Sequence, residues 1–573
     1  MKLARITGTL IAALALSACS GMGPQHGHTA QTAQTGEAEY TKPTTGADSV
    51  QDERDVSATV LFIADPQIHN VQGGNVKQTM LGADIFSHVA QRQPEINLMA
   101  PYALTALIRK GVDQQVKNPA SFMVILGDAT NAGCTGEFDR FNQAVANAKP
   151  GRILLMAHGN HDSFLMGTIN YWQSVFDKAD VSGFDGSPVP VDASWWTPAG
   201  NPDGSGWPAL CYEHGHSKVP INKVQWMGRY IKSLQGEHGL VLQGGTSHQR
   251  SWTESGEIVQ VLPFSGEGAP NTRLEKLAYQ VAGEWVRPEA SSRGLLASYE
   301  SYMVQAVNVG DSHRLIIIDT SGCAEFQASG WSRRIRYVGQ NAGTKGCIGK
   351  AQMATIRSMA ANRRGTGRQI VFAGHFPLEK IVDVDRTALI DEMKMAGGSA
   401  AWTYLSAHTH DPKSVWLWTG GKEINMGSTT DWPMSAYQVQ FGKEVTAPAL
   451  DFSEAMFGSG TAFAYDGPWP FSGGAELCRH VDAADKLSKW NPGNGNLFTS
   501  PGTWWRYTKC SVSHRKHQER LKQAMDEIER RMNDTSGQEA AYQDEMLRIM
   551  AAASLNECRK RSVLRLAPDC RVR

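Results

Sequence analysis

"LLMAHGNHDSF", residues 154–164, joins an apolar run to Gly159, Asn160, His161 and Asp162. Gly and Asn tolerate positive φ and often end strands, so a turn would explain the stretch taken alone. Asn, His and Asp are also side chains that bind metal ions or transfer protons. The stretch therefore indicates either a turn or a metal or catalytic site, and the rest of the chain has to decide between them.

The apolar run has counterparts along the chain. Short runs rich in Val, Ile, Leu or Phe, each ending in polar residues, recur as "ATVLFIAD" (58–65), "SFMVILGD" (121–128), "HRLIIIDTS" (313–321) and "RQIVFAGHF" (368–376). Helical patterns lie between several of them, at "MAPYALTALIRKGVDQQV" (99–116) and "KAQMATIRSMAANRR" (350–364). Buried strands that alternate with helices predict an α/β fold, and sites in such folds lie beyond the carboxyl ends of the strands.

Each of the polar residues that follow these runs carries an oxygen or an imidazole nitrogen that can bind a metal ion. They are Asp65, Gln67, Asp128, Asn160, His375, His408 and His410. In an extended segment residues two apart point the same way, so we expect Asp65 with Gln67, and His408 with His410, to aim at one side. The two carboxylate oxygens of Asp128 could bridge two cations. Five strand ends of this kind are hard to explain as turns, and they favour a metal site.

Five segments in this order, "DPQ", "GDATN", "GNHD", "GHFP" and "AHTH", resemble the signature blocks of calcineurin-like metallophosphoesterases. The resemblance covers roughly residues 57–440. It implies a four-layer αββα sandwich with a binuclear metal centre that hydrolyses phosphate esters, either monoesters or diesters, through a metal-activated hydroxide. One ion would be held by Asp65, Gln67, Asp128 and His410, and the other by Asp128, Asn160, His375 and His408.

His161 directly follows the predicted ligand Asn160, so we expect it beside the metals without binding them. Its expected role is that of general acid, or stabiliser of the leaving group. The alternative is a histidine that only orients Asn160 or Asp128. Asp162 is predicted to be a supporting partner. His69, His158, His214 and His216 are predicted to be surface residues or neighbours of the ligands.

Three positions depart from the family pattern. Gln67 stands where many members have His, which exchanges an imidazole for an amide oxygen and predicts a preference for Mn, Fe or Mg over Zn. Asn131 replaces a common acid and Ala407 a common Gly, and neither change removes a ligand. The expected cofactors are two divalent or trivalent metal ions, Mn, Fe, Mg or Zn.

The N-terminus predicts export. Lys2 and Arg5 precede the apolar run 6–16, which is short for a membrane span, so residues 1–18 are typical of a signal peptide. "LSAC" resembles a bacterial lipobox that ends in Cys19, and Ser20 resembles the next residue of lipoproteins sorted to the outer membrane. We therefore expect a lipid anchor on Cys19 and a location in the bacterial envelope. An ordinary secretory signal with an incidental Cys is the alternative.

The chain of 573 residues is longer than this resemblance. We predict a flexible tether at 19–56, a metallophosphoesterase domain at 57–445 with a loop-rich insertion at about 165–300, and a C-terminal extension at 446–573. The extension contains a helical pattern that predicts a hairpin, with its apolar stripe at Leu521, Met525, Ile528, Met532, Tyr542, Met546 and Ile549. The Trp pairs at 195–196 and 504–505 favour packing, although they could stack on a substrate.

The remaining cysteines are even in number, which in an exported chain predicts disulfides. They are Cys134, Cys211, Cys323, Cys347, Cys478, Cys510, Cys558 and Cys570. Lys+Arg and Asp+Glu are both 56, so no global charge favours long nucleic acid, and a small phosphate ester is the expected substrate. A metal-binding scaffold that binds a partner or a cell-wall component without turnover is the second hypothesis. The sequence indicates no oligomeric state.

Overall fold

The structure is a computed structural model in which the described residues are 56–69, 94–131, 133–163, 212–213, 216–217, 223–238, 241–247, 254–260, 273–281, 302–321, 345–361, 367–397, 402–451 and 554. The predicted signal peptide, almost all of the tether and the predicted C-terminal hairpin lie outside these residues. No helix of the described part is long and apolar enough to cross a membrane.

The described strands and helices are numbered in chain order. The strands are β1 (Ala58–Ile63), β2 (Pro119–Ile125), β3 (Ile153–Met156), β4 (Tyr212–Glu213), β5 (His216–Ser217), β6 (Val241–Ser247), β7 (Glu254–Gln260), β8 (Arg273–Val281), β9 (Tyr302–Val309), β10 (His313–Ile318), β11 (Gln369–Gly374), β12 (Thr403–Ser406), β13 (Lys413–Leu417), β14 (Gly421–Asn425), β15 (Ser435–Phe441), β16 (Val445–Thr446) and β17 (Ala449–Asp451). The helices are α1 (Pro94–Asp113), α2 (Thr135–Ala148), α3 (Lys223–His238), α4 (Lys350–Ala361) and α5 (Asp383–Gly397), and a 3-10 turn spans Leu378–Lys380.

Two large sheets carry the fold. Sheet 1 has the strand order β16-β15-β1-β2-β3, and β17 also pairs with β15. Sheet 2 has the order β13-β14-β12-β11-β10-β9-β8-β7-β6. Strands β1 to β3 are mutually parallel, and so are β10, β11, β12 and β14. The five apolar runs of the sequence are therefore the parallel strands β1, β2, β3, β10 and β11, as predicted.

The central strands β9, β10 and β11 of sheet 2 are buried on both faces, which explains why β10 and β11 read as continuous apolar runs. Alternate residues of β10 belong to different cores. Leu315 and Ile317 lie in the core shared with sheet 1, whereas Ile316 and Ile318 lie in the core shared with α4 and α5. Helices α1 and α2 pack in the first of these cores. The layers therefore run helix, sheet, sheet, helix, which confirms the predicted αββα class.

Helix α1 approaches sheet 1 closely because one of its residues is glycine. A Cβ on Gly111 would lie 2.6 Å from Leu61 Cδ1 of β1. Helix α3 joins the two sheets at another point. The Tyr230 hydroxyl donates to Gln305 Oε1 of β9 at 2.7 Å and accepts from the Met156 backbone N–H of β3 at 3.0 Å. These contacts fix the two sheets against each other near the end of β3.

The predicted loop-rich insertion contains regular structure where it is described. Helix α3 lies within it, and β6, β7 and β8 extend sheet 2 by antiparallel pairing. The strand "VLQGGTS" of β6 has no apolar run, so its pattern did not indicate a strand. Sheet 1 also continues to residue 451, because β17 pairs with β15 beyond the predicted boundary at 445.

Two of the eight predicted disulfide cysteines, Cys134 and Cys347, lie within the described residues, and both are buried. The other six, with the Trp pairs at 195–196 and 504–505, fall outside them. The disulfide pairing therefore stays a prediction.

Candidate metal centre

The predicted ligands gather at one end of the fold, where the parallel strands of both sheets end. Asp65, Asp128 and Asn160 follow β1, β2 and β3 of sheet 1, while His375 and His408 follow β11 and β12 of sheet 2. All of these are buried except His408, which is partly buried. Because the two sheets face each other, ligands from both reach the same volume.

Two groups of these side chains could each hold a metal ion. One consists of Asp128, His375 and His408, and the other of Asp65, Asp128 and His410, with the ligand atoms of each group within 4.8 Å of one another. Asp128 belongs to both groups. The structure thus places a carboxylate with two oxygens between two sets of imidazole and carboxylate donors, which suits a pair of divalent ions.

The electrostatics of this cluster suit a cation. Burial opposes ionisation of Asp128, but His375 and His161 lower its pKa well below the usual range. Burial likewise opposes charge on His375, but Asp128 and Asp65 raise its pKa to about 9. The site is therefore rich in negative charge, which protons on histidine balance and which metal ions could balance instead.

Asp65 supplies the clearest test of whether a metal ion fits. Its Oδ2 accepts from the His408 backbone N–H at 3.1 Å. Its Oδ1 is buried and makes no hydrogen bond of sound geometry, although His410 Nε2 lies 3.3 Å away. A buried carboxylate oxygen that lacks a hydrogen bond is costly, and a cation would satisfy it.

Asn160 and Gln67 differ in which atom of the side-chain amide faces the other candidate ligands. Asn160 Oδ1 lies between two imidazoles, 2.9 Å from His375 Nε2 and 3.0 Å from His408 Nδ1, so its oxygen faces the first group. Gln67 presents its nitrogen, because Nε2 donates to Asp128 Oδ2 at 3.0 Å. The amide of Gln67 must rotate before its oxygen can bind a metal, so its ligand role stays a prediction.

The backbone at the ligands is left-handed rather than extended. The φ angles are 47° at Asp65, 40° at Gln67, 52° at Asp128, 70° at His408 and 57° at His410. The expectation that residues two apart would point the same way along an extended segment is therefore wrong. Each left-handed turn redirects the chain, and His408 and His410 consequently join different groups.

Glycine is required beside Asp128. A Cβ on Gly159 would lie 2.1 Å from Asp128 Oδ1 and 2.2 Å from the Asp128 backbone nitrogen. The Gly of "GNHD" therefore serves the close approach of two strand ends.

His161 lies beside the cluster with one ring nitrogen fixed. Its Nδ1 lies 2.7 Å from the Asn131 carbonyl oxygen, and its backbone N–H donates to Asp128 Oδ1 at 2.8 Å. Its Nε2 lies 4.0 Å from Asp128 Oδ2. Burial lowers the pKa of His161, against the opposing charge of Asp128. The ring thus directs Nε2 toward the predicted metal ligands.

Asp162 braces the loop that carries Asn160 and His161. Its two carboxylate oxygens accept from the backbone N–H groups of Thr130 and Gly159, at 3.1 and 2.8 Å. Burial and the neighbouring Asp128 raise its pKa to about 7. This placement fits the supporting role predicted for it.

A further loop, residues 427–434, encloses the second group, and sequence reasoning did not identify it. The Ser428 hydroxyl donates to the Asp65 carbonyl at 2.8 Å, and Asp431 Oδ2 contacts His410 Nδ1. Ser554, the one described residue of the chain after residue 451, donates to the Thr430 carbonyl at 3.2 Å. An Asp after the last His-x-His block in "GSTTDWP" was the available signal, but it follows no strand of the predicted kind.

Two of the histidines left without a role are buried near the cluster. His69 Nδ1 lies 2.8 Å from Glu137 Oε1, and His158 Nε2 lies 2.9 Å from Ser163 Oγ. They are therefore not surface residues. His214 and the side chain of His216 lie outside the described residues.

Beside His158 lies a buried ion pair. Lys223 Nζ of α3 is 2.7 Å from Asp319 Oδ2, which follows β10, and both side chains are almost fully buried. Ser321 donates its hydroxyl to Asp319 Oδ1 at 2.8 Å and contacts His158 Nδ1. A polar chain thus links α3 to the loop that carries Asn160.

Comparison with known proteins gives little beyond the geometry. No model of a known protein family matches the chain, and no curated protein matches it. Among solved structures, the crystal structure of a dimetal phosphatase from Danio rerio is similar over 70% of this chain and 100% of that chain, with a TM-score of 0.33 and 9% sequence identity. A TM-score this low assigns neither family nor activity.

Proposed function

We propose that this protein is a metal-dependent hydrolase of phosphate esters that uses two divalent or trivalent ions. The observation that carries the proposal is the position of Asp128, which belongs to both His/Asp groups. Asp65, Gln67, Asp128 and His410 would hold one ion, and Asp128, Asn160, His375 and His408 the other. When bound, the ions would supply positive charge to the phosphoryl oxygens and lower the pKa of the attacking water.

The protein's own residues would prepare the rest of the reaction. As the water oxygen bonds to phosphorus, the ester bond breaks and the leaving oxygen needs a proton. His161 would give it from Nε2 in its imidazolium form, in which both ring nitrogens carry a proton, because the Asn131 carbonyl accepts from Nδ1–H and Nε2 faces the cluster. Asp162 would keep His161 and Asn160 in place through its two backbone hydrogen bonds.

The test is metal content together with turnover, for the wild type and for Asp128→Asn. Metal is measured by mass spectrometry. Turnover is measured with bis-p-nitrophenyl phosphate, p-nitrophenyl phosphate and a set of nucleotides, with Mn added. We expect about two ions per wild-type chain and a loss of both metal and turnover in Asp128→Asn, because one carboxylate serves both groups. Asp113→Asn, an exposed carboxylate at the end of α1, is the matched control and should change neither quantity.

The outcomes separate the two functions that the sequence suggested. Bound metal without turnover on the whole panel would favour the metal-binding scaffold. A wild-type protein that binds no metal would overturn the centre itself. The substrate preferred in the panel would also decide between phosphomonoesters and phosphodiesters.

We also propose that the enzyme acts outside the inner membrane and is anchored there by a lipid on Cys19. Its other cysteines would be paired in disulfides. This rests on the sequence of residues 1–20 and on the number of cysteines. Metabolic labelling with a fatty-acid analogue, compared between the wild type and Cys19→Ala, tests the anchor. Label retained by the variant would contradict it.

A further inference from the structure

The end of the fold opposite the metal centre carries most of the exposed large apolar side chains. Among the residues that the structure describes, these are Val384, Met395, Trp416 and Trp418. Trp418 is 85% exposed and Met395 65% exposed. Single exposed apolar residues are ordinary, but several at one end of a fold, one of them a largely exposed Trp, indicate a contact surface.

Three of these four residues lie at that end, with Met395 on the α5 side of sheet 2 and Trp416 on the opposite side, the side of Ile424. Helix α5 runs from the end of β11 back to the start of β12, so its last turn, with Met395, is remote from the metal ligands. Strand β13 is antiparallel to β14, and Leu417 pairs with Gly421, so the turn that contains Trp418 lies at the same end. The Trp402 side chain lies between the end of α5 and the start of β14, because it is the neighbour of both Gly397 and Gly421.

Basic residues border these apolar side chains. Lys422 is opposite Trp416 in the strand pairing, and its Nζ lies 5.6 Å from the centroid of the Trp416 ring. Lys394 is exposed next to Met395, while Glu392, two residues before it, is buried and paired with Arg357, and the exposed Asp391 is about one turn closer to the metal end. We call Met395, Trp416, Trp418, Lys394 and Lys422 the Trp418 surface.

The loops at the same end of the fold contain more basic than acidic residues. The described loops that enter or join strands there contain the basic residues Lys117, Lys149, Arg152, Arg368 and Lys443 and the acidic residues Asp311 and Glu444. Basic residues therefore outnumber acidic ones in these loops, although the whole chain has no net charge. A surface of this kind is attracted to anionic lipid headgroups.

The chain also enters the fold at this end. Ser57, directly before β1, donates its hydroxyl to the Phe441 carbonyl at 2.8 Å and accepts from the Ser312 hydroxyl at 2.7 Å. Ser312 lies in the turn before β10, and β10 is four strand spacings from β13, or about 19 Å along the edge of sheet 2. The N-terminal segment that leads back to Cys19 therefore begins on the face that carries Trp418.

We propose that the Trp418 surface docks on a phospholipid bilayer that contains anionic lipid. Trp and Lys are the side chains favoured at a membrane interface, where the ring enters the headgroup region and the amine stays near phosphate. Docking there leaves the metal centre facing away from the membrane. An anchor at Cys19, on a tether with a span of roughly 30–36 Å, would raise the local concentration of this surface near the bilayer.

The test uses the chain from residue 19 to 573 with Cys19→Ser, so that no lipid anchor contributes. Its partition onto vesicles of phosphatidylethanolamine and phosphatidylglycerol is measured by co-sedimentation. We expect binding that weakens with added salt, and a loss of about tenfold or more in the partition coefficient for Trp416→Ser/Trp418→Ser. Lys394→Gln/Lys422→Gln should bind more weakly and respond less to salt.

Val384→Ser is the matched control, because Val384 is 67% exposed in the first turn of α5, at the metal end. It should bind like the parent chain. Equal thermal midpoints for all variants would show that each is folded. The proposal would be overturned if the double Trp variant partitioned onto vesicles as well as the parent chain does. It would also be overturned if the parent chain did not bind vesicles, or bound only to peptidoglycan. None of these readouts depends on metal or turnover.

Discussion

Asp431 holds His410 by the ring nitrogen Nδ1, the one that does not face Asp65. Asp431 Oδ2 contacts His410 Nδ1, and this leaves His410 Nε2 3.3 Å from Asp65 Oδ1. Burial opposes charge on His410, but Asp65 and Asp431 raise its pKa to about 9. A carboxylate behind a ligand histidine fixes the tautomer and the ring orientation, and makes the other nitrogen a better donor.

Removing this support should weaken one metal site. We expect Asp431→Asn to lower the affinity for the ion bound by Asp65 and His410 by about 10–100-fold. Titration calorimetry on metal-free protein measures this directly. Asp383→Asn, on the exposed face of α5, is the control. Equal affinities in the Asp431 variant and the control would show that His410 needs no partner.

Gln67 should set the metal preference. With Gln67→His the donor becomes an imidazole, so protein purified without added metal should retain more Zn and less Mn, Fe or Mg than the wild type. Metal analysis of both proteins measures the change, with the exposed Gln114→His as control. Wild-type protein that carries only Zn in both positions would contradict the predicted preference.

His161 should matter for turnover and not for metal. His161→Ala is expected to keep both ions and to lose about 10²–10⁴-fold in turnover, because general acid catalysis is worth about that much. The loss should be larger for an alkyl ester, whose leaving oxygen needs a proton, than for a nitrophenyl ester. Equal losses on both esters would indicate that His161 only positions Asn160 or Asp128.

The buried ion pair of α3 should be costly to break. Lys223→Met leaves Asp319 charged, buried and without its cation, and we expect a loss of about 3–5 kcal/mol in the free energy of unfolding. Denaturant unfolding measures this, and Lys232→Met, exposed on the same helix, is the control. The double variant Lys223→Met/Asp319→Leu should recover most of the loss. A double variant as unstable as the single one would show that lost packing, and not the unpaired charge of Asp319, destabilises the protein.

Glu423 should make stability depend on pH. Burial raises the pKa of this β14 carboxyl to about 7, although hydrogen bonds from Ser406 and Leu378 oppose the shift. Because the folded-state pKa lies above that of the unfolded chain, the contribution of Glu423 is full below about pH 4.5 and is lost as the pH rises through 7. Thermal midpoints should therefore favour Glu423→Gln over the wild type increasingly between about pH 5 and pH 8.

The control for this series is Glu444→Gln, an exposed carboxyl in the turn after β15. Its midpoint should follow the wild type at every pH. A constant difference between Glu423→Gln and the wild type across the range would show that Glu423 does not titrate there.

The central strands could be predicted because both of their faces are buried. Strand β10 reads "HRLIII", and such a run indicates a strand whatever surrounds it. The position of the candidate ligands at the ends of these strands followed from the same pattern, since parallel strands end at one edge. Strand β6 could not be predicted, because "VLQGGTS" lacks such an apolar run, and it joins sheet 2 by pairing with β7.

The geometry at the ligands could not be predicted from residue spacing. The left-handed backbone at His408 and His410 depends on the hydrogen bonds and packing around each turn, and those come from distant parts of the chain. Asp431 illustrates the same point. It lies 21 residues after His410 in sequence and meets it only because β13 and β14 return the chain to the site.

The pairing of β1 with β15 has a consequence for synthesis. Ala58 pairs with Phe441, and Ile63 with Ala436, so the first of the described strands to be made completes its ladder with one of the last three described strands. At about 5–20 residues per second, β1 waits roughly 20–75 s for this partner. During that interval its apolar edge is open to other chains, and long-range pairing of this kind is slow to form. A cell that makes this protein must therefore keep the nascent chain unaggregated until residue 441 has emerged.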